Sequence, residues 1–580
     1  MTTVRPRVPV EAYLLFGALV YGLGFYLLLP RGVSMGIDEF AYYRSVIETL
    51  QHHRPWVDDY LEPWSAGLCL LSAGTYRLTG SFALATQGLL VAFSAAAVWA
   101  TARLLCDRGF AEGRALLVSV LIMTGPIVLP EFFTFGSSPL YLVCLLFVVL
   151  AAERGRWVGF TAVWLPAIAS RQTAIMWCIL PIAALLQRRP NPERAGARWV
   201  GPAITLVLGI VCFGLLAIGM NRTYAYERMT RPQAIAFLQG LRHLHGLGRF
   251  AGKFVVGGCI LSLAMGVGLW AKDPTRTLRG RYGQLAFALV VVLFIAKYAH
   301  LVEPPNWFGH QHPHWRQVVF LDLLLLAGMG TLGLVGLQRA TVSWPLIFTG
   351  AAVLLAICVH EPVWPSYLIE PALLGMLAGL PLTRPNAPHP IARPCRTVDL
   401  RLLVVGAALA LCQLSFAVAF KFGIDLAWAE IRMGELAIRE GKMTIGDADW
   451  SLWQLQRWRV LPYLYAHPGS RQTLDTVLRS LRSPGGPAGF SETLPPAIER
   501  WLGGGGTPPA GSRVLDEESV RCCWFFNAHV VLYRLPGRAN GYLLANAAPT
   551  DFREQDYPLN DKEWRAFIRT EPAEGFRPAR

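Results

Sequence analysis

Long apolar runs recur between residues 13 and 420 of this chain, and they constrain its fold more than any other feature of the sequence. The first, Tyr13–Leu29, is long enough to cross a bilayer, which takes about 20 helical residues. No small-residue cleavage site follows it, so it is interpreted as a retained anchor rather than a secretory signal. The later runs are Gly67–Leu78 with Phe82–Leu105, Ala115–Leu129, Leu140–Ala152, Val158–Ala169, Ala174–Leu186, Val200–Met220, Phe254–Trp270, Leu285–Lys297, Val318–Leu337, Trp344–Val359, Ser366–Leu382 and Leu402–Phe420. With Gly67–Leu78 counted as an entry segment, the pattern predicts about thirteen transmembrane helices.

The composition of the chain leads to the same class of protein. Of its 580 residues, 53% are hydrophobic and 16% are charged, and the mean hydropathy is +0.39. These values exclude an ordinary soluble protein and predict an α-helical polytopic membrane protein, with its transmembrane domain at residues 1–420. A net charge of +15 would suggest nucleic acid as the partner of a soluble domain, but here most Lys and Arg residues lie in short loops. The predicted partner is therefore the lipid bilayer, and no nucleic acid is expected.

The basic residues are divided unevenly between alternate loops, which predicts the orientation of the chain. One set of loops, beginning with Arg5 and Arg7, contains about twice as many of them as the other set. By the positive-inside rule this set is cytoplasmic, and so is the N-terminus. The loop after the first run, the turn at residues 170–173, the loops at residues 300–316 and 360–364 and the tail after Lys421 are then periplasmic. This arrangement suits a bacterial inner membrane.

The composition becomes that of a soluble domain beyond Lys421. Helices are predicted at Asp425–Lys442, Asp447–Trp458 and Arg471–Arg482, and short strands at Arg513–Ala545. Residues 421–580 are therefore predicted to form a mixed α/β extracytoplasmic domain.

Two pairs of adjacent carboxylates lie in the first predicted outer loop, where acidic residues close to a membrane need an explanation. Asp38 and Glu39 follow the first run directly, and Asp58 and Asp59 come later in the same loop. The simplest role for Asp38 is to be the N-cap of an interfacial helix and nothing more. A cap needs one carboxylate, however, and this loop contains several. The apolar face of that helix is predicted to consist of Phe40, Tyr43, Ile47 and Leu50.

Three further polar clusters are predicted at the same outer face. Arg171 and Gln172 occupy a tight turn between two runs, where an Arg could either snorkel toward lipid headgroups or bind a phosphate. The remaining two clusters contain His310, His312, His314 and Arg316 in one loop, and Glu361 with Tyr367 in another. The histidines could hold zinc or belong to an aromatic interfacial belt, but phosphate or sugar binding is the simpler interpretation. No metal or cofactor is expected.

A carboxylate, several cations and access from lipid, all at one membrane face, suit the transfer of a sugar from a polyprenyl-phosphate donor. In such a reaction the leaving group is a lipid phosphate anchored in the outer leaflet. A nucleotide-binding glycine loop is then unnecessary.

The chain resembles the GT-C superfamily of integral-membrane glycosyltransferases. The resemblance rests on the acidic pair in the first outer loop, the many apolar runs and the extracytoplasmic tail. More narrowly, residues 37–39, 171–177, 361–362 and 367–369 are similar to motifs of the eukaryotic α-1,2-glucosyltransferase that adds the terminal glucose to the dolichol-linked oligosaccharide. The Arg171-Gln172-Thr173 motif is the most specific of these, and the likeness covers about the first 380 residues without explaining the tail.

The resemblance implies an inverting enzyme in which Asp38, with Glu39 beside it, is the catalytic base. It also implies that Arg171 and Gln172 hold the lipid phosphate. We add His310, His312, His314 and Arg316 to this phosphate site, Asp58 and Asp59 to the acceptor site, and Glu361 and Tyr367 to the wall of the pocket. The acceptor is expected to be a glycan or glycolipid, and the donor an undecaprenyl-phosphate sugar.

Three other functions remain open from the sequence. A transporter or flippase of lipid-linked sugars would show internal repeats and charges at mid-span, whereas the charges here lie mostly at the ends of the runs. An O-antigen-ligase-like transferase would place its main catalytic loop late in the chain. A noncatalytic glycan-binding protein would depend on the tail.

Overall fold

A computed structural model of the chain describes residues 9–29, 65–81, 83–125, 128–186, 195–220, 342–358, 365–380, 513–522, 526–534 and 542–547. It also describes single positions between 42 and 53 and between 235 and 265, and position 413. The predicted runs Leu285–Lys297 and Val318–Leu337 and the three predicted helices of the tail lie outside the described residues.

The described part of the chain before residue 381 is helical. Its helices are α1 (Val10–Leu28), α2 (Ala66–Thr79), α3 (Leu89–Asp107, preceded by a π-helical turn at Leu84–Gly88), α4 (Glu112–Met123), α5 (Val128–Phe133), α6 (Ser137–Glu153), α7 (Trp157–Ile168), α8 (Ile179–Leu186, preceded by a 3₁₀ helix at Gln172–Cys178), α9 (Ala195–Met220), α10 (Trp344–Ile357) and α11 (Ile369–Gly379, preceded by a 3₁₀ turn at Pro365–Leu368). These bounds lie within a few residues of the apolar runs wherever the two can be compared, except that Ala115–Leu129 is divided between α4 and α5. The helical prediction is confirmed for these segments.

Three described helices are long and apolar enough to cross a membrane, namely Val10–Leu28, Leu84–Asp107 and Trp199–Gly219. Two of them carry large apolar side chains on their outer surface. Phe16 and Leu27 of α1 are 69% and 72% exposed, and Leu215 of α9 is 67% exposed. Contact with lipid tails stabilises an apolar surface of this kind. In water the same surface would expose a large apolar area, which costs free energy.

Helix α6 lies at the centre of the bundle, as the burial of its side chains around the whole circumference shows. Its sequence is apolar on every side, which is typical of a helix enclosed by others. It packs against α3, α5 and α7. At 17 residues, α6 is about 25 Å long, so its two ends are far apart.

A cluster of ion pairs fixes the end of the bundle where α6 finishes. Arg108 follows α3 directly and is fully buried. Its guanidinium donates to both carboxylate oxygens of Glu153, and its Nε donates to the backbone carbonyl of Leu377 at 3.2 Å. Nearby, Asp107 accepts from Arg154 at 2.9 Å and pairs with Arg103 at 3.0 Å. These arginines lie near two turns predicted to be cytoplasmic, and the structure places them at one end of the bundle.

The described part of the tail forms a three-stranded antiparallel sheet in the order β1-β2-β3. Its strands are β1 (Arg513–Cys522), β2 (Phe526–Arg534) and β3 (Tyr542–Ala547). Arg513 is paired with Arg534, and His529 with Ala547. The register shifts between Val514 and Asp516, where β1 has a bulge. Strands were predicted in this segment, and the structure confirms them.

Candidate functional site

Arg171 lies in the turn between α7 and the 3₁₀ helix, as its position between two apolar runs predicts. Its backbone is extended, with φ −160° and ψ 131°, and its N–H donates to the carbonyl of Ala167 at 2.9 Å. The preceding residue, Ser170, is buried and donates through Oγ to the carbonyl of Pro166 at 2.7 Å. The polar backbone and hydroxyl groups of this turn therefore bond to one another. The side chain of Arg171 is not needed for these bonds and extends toward α6.

Two tyrosine rings and one hydroxyl hold the guanidinium of Arg171. Its central carbon is 5.2 Å from the ring centre of Tyr141 on α6 and 5.2 Å from that of Tyr367. One terminal nitrogen, Nη2, donates to Oγ of Ser138 at 2.9 Å. Cation–π contacts of this kind orient the guanidinium through its flat face and leave the N–H groups at its edge available to hydrogen-bond acceptors.

A buried hydrogen-bonded chain lies behind this contact. The hydroxyl of Tyr141 donates to Oε2 of Glu370 on α11, and it lies 2.8 Å from Oγ1 of Thr173. The indole N–H of Trp177 donates to the other oxygen, Oε1, at 2.6 Å. Because the single proton of Tyr141 goes to the carboxylate, Thr173 must be the donor in the remaining bond. Glu370 is only 2% exposed, and Tyr141 and Trp177 are fully buried.

The arrangement of charge at this site favours an anion. Within the described part of the chain, no carboxylate lies at ion-pair distance from Arg171, which is half-buried. A partly desolvated guanidinium is well suited to bidentate binding of a phosphate. Glu370 lies beyond Tyr141, whose ring contacts Arg171 and whose hydroxyl donates to Oε2 of Glu370.

The segment that follows the acidic pair packs close to the same bundle end. Positions 42, 45, 46, 49 and 50 are helical, and all five are buried. The hydroxyl of Tyr42 accepts from Ser65 at 3.3 Å, and its ring meets Phe135 edge-on at 6.5 Å. Phe135 lies just before α6, three residues from Ser138. A helix was predicted here, and Leu50 of its predicted apolar face is buried, while Phe40, Tyr43 and Ile47 lie outside the described residues.

The structure brings together two of the predicted site residues, Arg171 and Tyr367. Gln172 is half-buried as the first residue of the 3₁₀ helix. The other predicted residues lie outside the described part of the chain; they are Asp38, Glu39, Asp58, Asp59, His310, His312, His314, Arg316 and Glu361. Among the residues that are described, no group of three His, Cys, Asp or Glu side chains could hold a metal ion.

The sequence placed Glu370 in the outer cluster of Glu361 and Tyr367 without giving it a role, and it assigned no role to Ser138, Tyr141 or Trp177. One signal distinguishes Glu370, because it is the sole charged residue of the run Ser366–Leu382. An ionisable residue inside an apolar span is expensive and calls for a partner. Nothing in the sequence indicates that its partner is Tyr141, which lies 229 positions away.

The fold and site described above are those of a helical membrane protein with a cationic and aromatic site at one end of its bundle. No family model matches the sequence, and the comparison with curated proteins gave no match. Among solved structures, the chain is similar to the crystal structure of ArnT from Cupriavidus metallidurans bound to undecaprenyl phosphate. The sequence identity is 15% and the TM-score is 0.29, and the similarity covers 72% of this chain and 80% of that chain.

Proposed function

We propose that this protein is an inverting membrane glycosyltransferase that transfers a sugar from a polyprenyl-phosphate donor to a hydroxyl group of a glycan or glycolipid. The observation that supports this most is the Arg171 guanidinium, held between Tyr141 and Tyr367 at the end of a membrane bundle. A cation stacked on two rings is a rigid and selective site for the phosphate of a lipid.

The packing of Tyr42 supports an acidic group near this cation. Tyr42 contacts Ser65 and Phe135. Phe135 lies three residues before Ser138, which accepts a hydrogen bond from Arg171. Asp38 is four residues from Tyr42 in the sequence, so the covalent chain keeps their Cα atoms within about 14 Å of each other. We infer that this base and the phosphate-binding cation act on one substrate.

In the proposed reaction, the oxygen of the acceptor hydroxyl attacks the anomeric carbon of the sugar from the face opposite the phosphate. The bond between this carbon and the phosphate oxygen breaks, and the lipid phosphate leaves with the bonding electrons. The proton of the hydroxyl passes to the carboxylate of Asp38. Arg171 stabilises the charge that develops on the departing phosphate.

The remaining predicted residues complete this site by hypothesis. Glu39, Asp58 and Asp59 orient the acceptor, while Glu361 and Tyr367 line the pocket. Gln172 and the segment containing His310, His312, His314 and Arg316 share the phosphate with Arg171. The reaction takes place at the periplasmic face, which follows from the predicted orientation.

Purified protein with the substitution Asp38→Asn tests the base. Because the amide cannot accept the proton, turnover with a polyprenyl-phosphate sugar should fall by about 10²–10⁴-fold. The matched control is Glu112→Gln, which changes an exposed carboxylate in the first turn of α4, outside the proposed site, and should leave the activity unchanged. The measurement is the release of free lipid phosphate together with sugar incorporation into the acceptor.

Unimpaired turnover by Asp38→Asn would remove Asp38 from the role of base. If the wild-type protein moves the donor across a membrane without releasing lipid phosphate, the protein is a flippase and the proposed reaction is wrong.

A further inference from the structure

Glu370 is a buried carboxylate whose two oxygens are both used inside the protein. Oε2 accepts from Tyr141 on α6, and Oε1 accepts from Trp177 in the 3₁₀ helix at 2.6 Å. Glu370 itself lies in the first turn of α11, where a negative charge is favoured by the helix dipole. One side chain therefore connects three separate elements of the bundle.

The connection leads directly to the guanidinium of Arg171. Tyr141 contacts Arg171 with the face of its ring and Glu370 with its hydroxyl, so a bond at one end of the tyrosine determines where the ring lies at the other. Trp177 supports this ring, since the two ring centres are 5.0 Å apart. The hydroxyl of Tyr141 also bonds to Thr173, two residues from Arg171.

Glu370 cannot itself contact the sugar donor or the acceptor substrate in this arrangement. It is 2% exposed, and its oxygens face Tyr141 and Trp177, which are fully buried. Any effect that it has on a substrate must pass through these two side chains.

We propose that Glu370 is a positioning residue, which fixes the Tyr141 ring beneath Arg171 and so sets the orientation of the guanidinium for the lipid phosphate. This inference rests on the proposed function, because it assumes that Arg171 binds the phosphate of the donor.

Two substitutions separate the effect of the hydrogen bonds of Glu370 from the effect of its charge. In Glu370→Gln, the amide oxygen can still accept from Trp177, and the amide N–H can donate to Tyr141. The Tyr141 proton then turns to Thr173, which reverses the direction of the chain without moving the ring. Glu370→Ala leaves the indole N–H of Trp177 without an acceptor and removes the bond between Tyr141 and α11. The hydroxyl of Tyr141 can then donate only to Thr173, and its ring is free to shift.

The test is the affinity of the full-length, detergent-purified protein for undecaprenyl phosphate, together with the donor KM and kcat. Glu370→Ala should weaken binding by about tenfold, because Trp177 loses its acceptor, Tyr141 loses its bond to α11, and the stack on Arg171 loosens. Glu370→Gln should restore affinity to within about threefold of wild type, because the reversed chain keeps both bonds. The donor KM should rise in Glu370→Ala while kcat changes little.

Tyr141→Phe keeps the ring beneath Arg171 but removes the bond to Glu370. It should weaken binding in the same direction, and its effect should not add to that of Glu370→Ala, since both remove one connection. This variant tests the proposal even if Glu370→Ala does not fold. Unchanged affinity in Tyr141→Phe would overturn the positioning role.

Glu153→Ala is the matched control, because Glu153 also connects α6 to α11, through Arg108 and the Leu377 carbonyl, but at the opposite end of α6. It should lower the thermal midpoint without changing affinity for undecaprenyl phosphate. Equal loss of affinity in Glu153→Ala, or in Glu370→Gln, would overturn the proposal in favour of a general structural or charge effect.

The two levels of inference fail in different ways. If the wild-type protein does not bind undecaprenyl phosphate, the proposed function is wrong and the positioning role falls with it. If the wild type binds and Arg171→Ala does not, while Glu370→Ala and Tyr141→Phe bind normally, the positioning role alone is wrong.

Discussion

A lysine in place of Arg171 would keep the positive charge of the site but lose the features that hold it in position. The guanidinium is planar, so it can lie against the rings of Tyr141 and Tyr367 while it donates to Ser138. An ammonium group is a point charge on a flexible stem and cannot make all three contacts in one orientation. Geometry, rather than charge alone, should therefore determine how well the site binds a phosphate.

Arg171→Lys should accordingly weaken the binding of undecaprenyl phosphate by about tenfold, the equivalent of losing one or two cation–π contacts. The measurement is the dissociation constant of the purified variant. Arg156→Lys is the control, since Arg156 lies at the other end of α7 and should tolerate the change. Wild-type affinity in Arg171→Lys would show that charge alone is required.

At the level of helices, the position of the Arg171 turn depends on how closely α9 approaches α7. Gly209 of α9 faces Trp164 of α7, and a Cβ atom at Gly209 would lie 2.1 Å from Cζ3 of the indole. Trp164 is fully buried, and its indole N–H donates to the carbonyl of Ala174 at 2.7 Å. The glycine thus lets two helices meet around a tryptophan that also supports the 3₁₀ helix following Arg171. Small residues commonly allow such approaches between membrane helices.

Gly209→Ala should therefore destabilise the protein by about 1–3 kcal/mol, because the added methyl group must displace a buried indole ring. Gly214→Ala, on the same helix, is a matched control: a Cβ there would meet nothing within 4 Å. That change should be neutral or stabilising by up to about 1 kcal/mol, through the better helix propensity of alanine. Thermal midpoints in one detergent would compare the two, and equal midpoints would contradict the packing argument.

For the molecule as a whole, the sequence was sufficient for the described helices and insufficient for their contacts. Hydrophobic length alone predicted α6 and α9 closely, because a bilayer requires a long apolar segment whatever its neighbours. The pairing of Arg108 with the Leu377 carbonyl, 269 positions apart, depends on which helices become neighbours, and no local pattern encodes that. Arg171 and Tyr367 were predicted at one membrane face from the distribution of basic residues, and in one site because polar residues cluster at that face and resemble the motifs of a family.

The structure adds a constraint on orientation, because its two polar clusters lie at opposite ends of α6. Arg108 and Glu153 lie at one end, and Ser138 with Arg171 at the other. If the basic end is cytoplasmic, as the positive-inside rule requires, the Arg171 end faces the periplasm. One experimental determination of either end would therefore orient both.

We expect an epitope inserted at Gly155, in the turn between α6 and α7, to resist protease in intact spheroplasts and to become sensitive after permeabilisation. Alkaline phosphatase fused after Arg580 should be active and a green fluorescent protein fused there dark, since the tail is predicted to be periplasmic. Cleavage of the Gly155 epitope in intact spheroplasts would instead place the Arg171 end in the cytoplasm. A polyprenyl-phosphate sugar presented in the outer leaflet could not then reach Arg171, so the result would contradict the periplasmic reaction as well as the orientation.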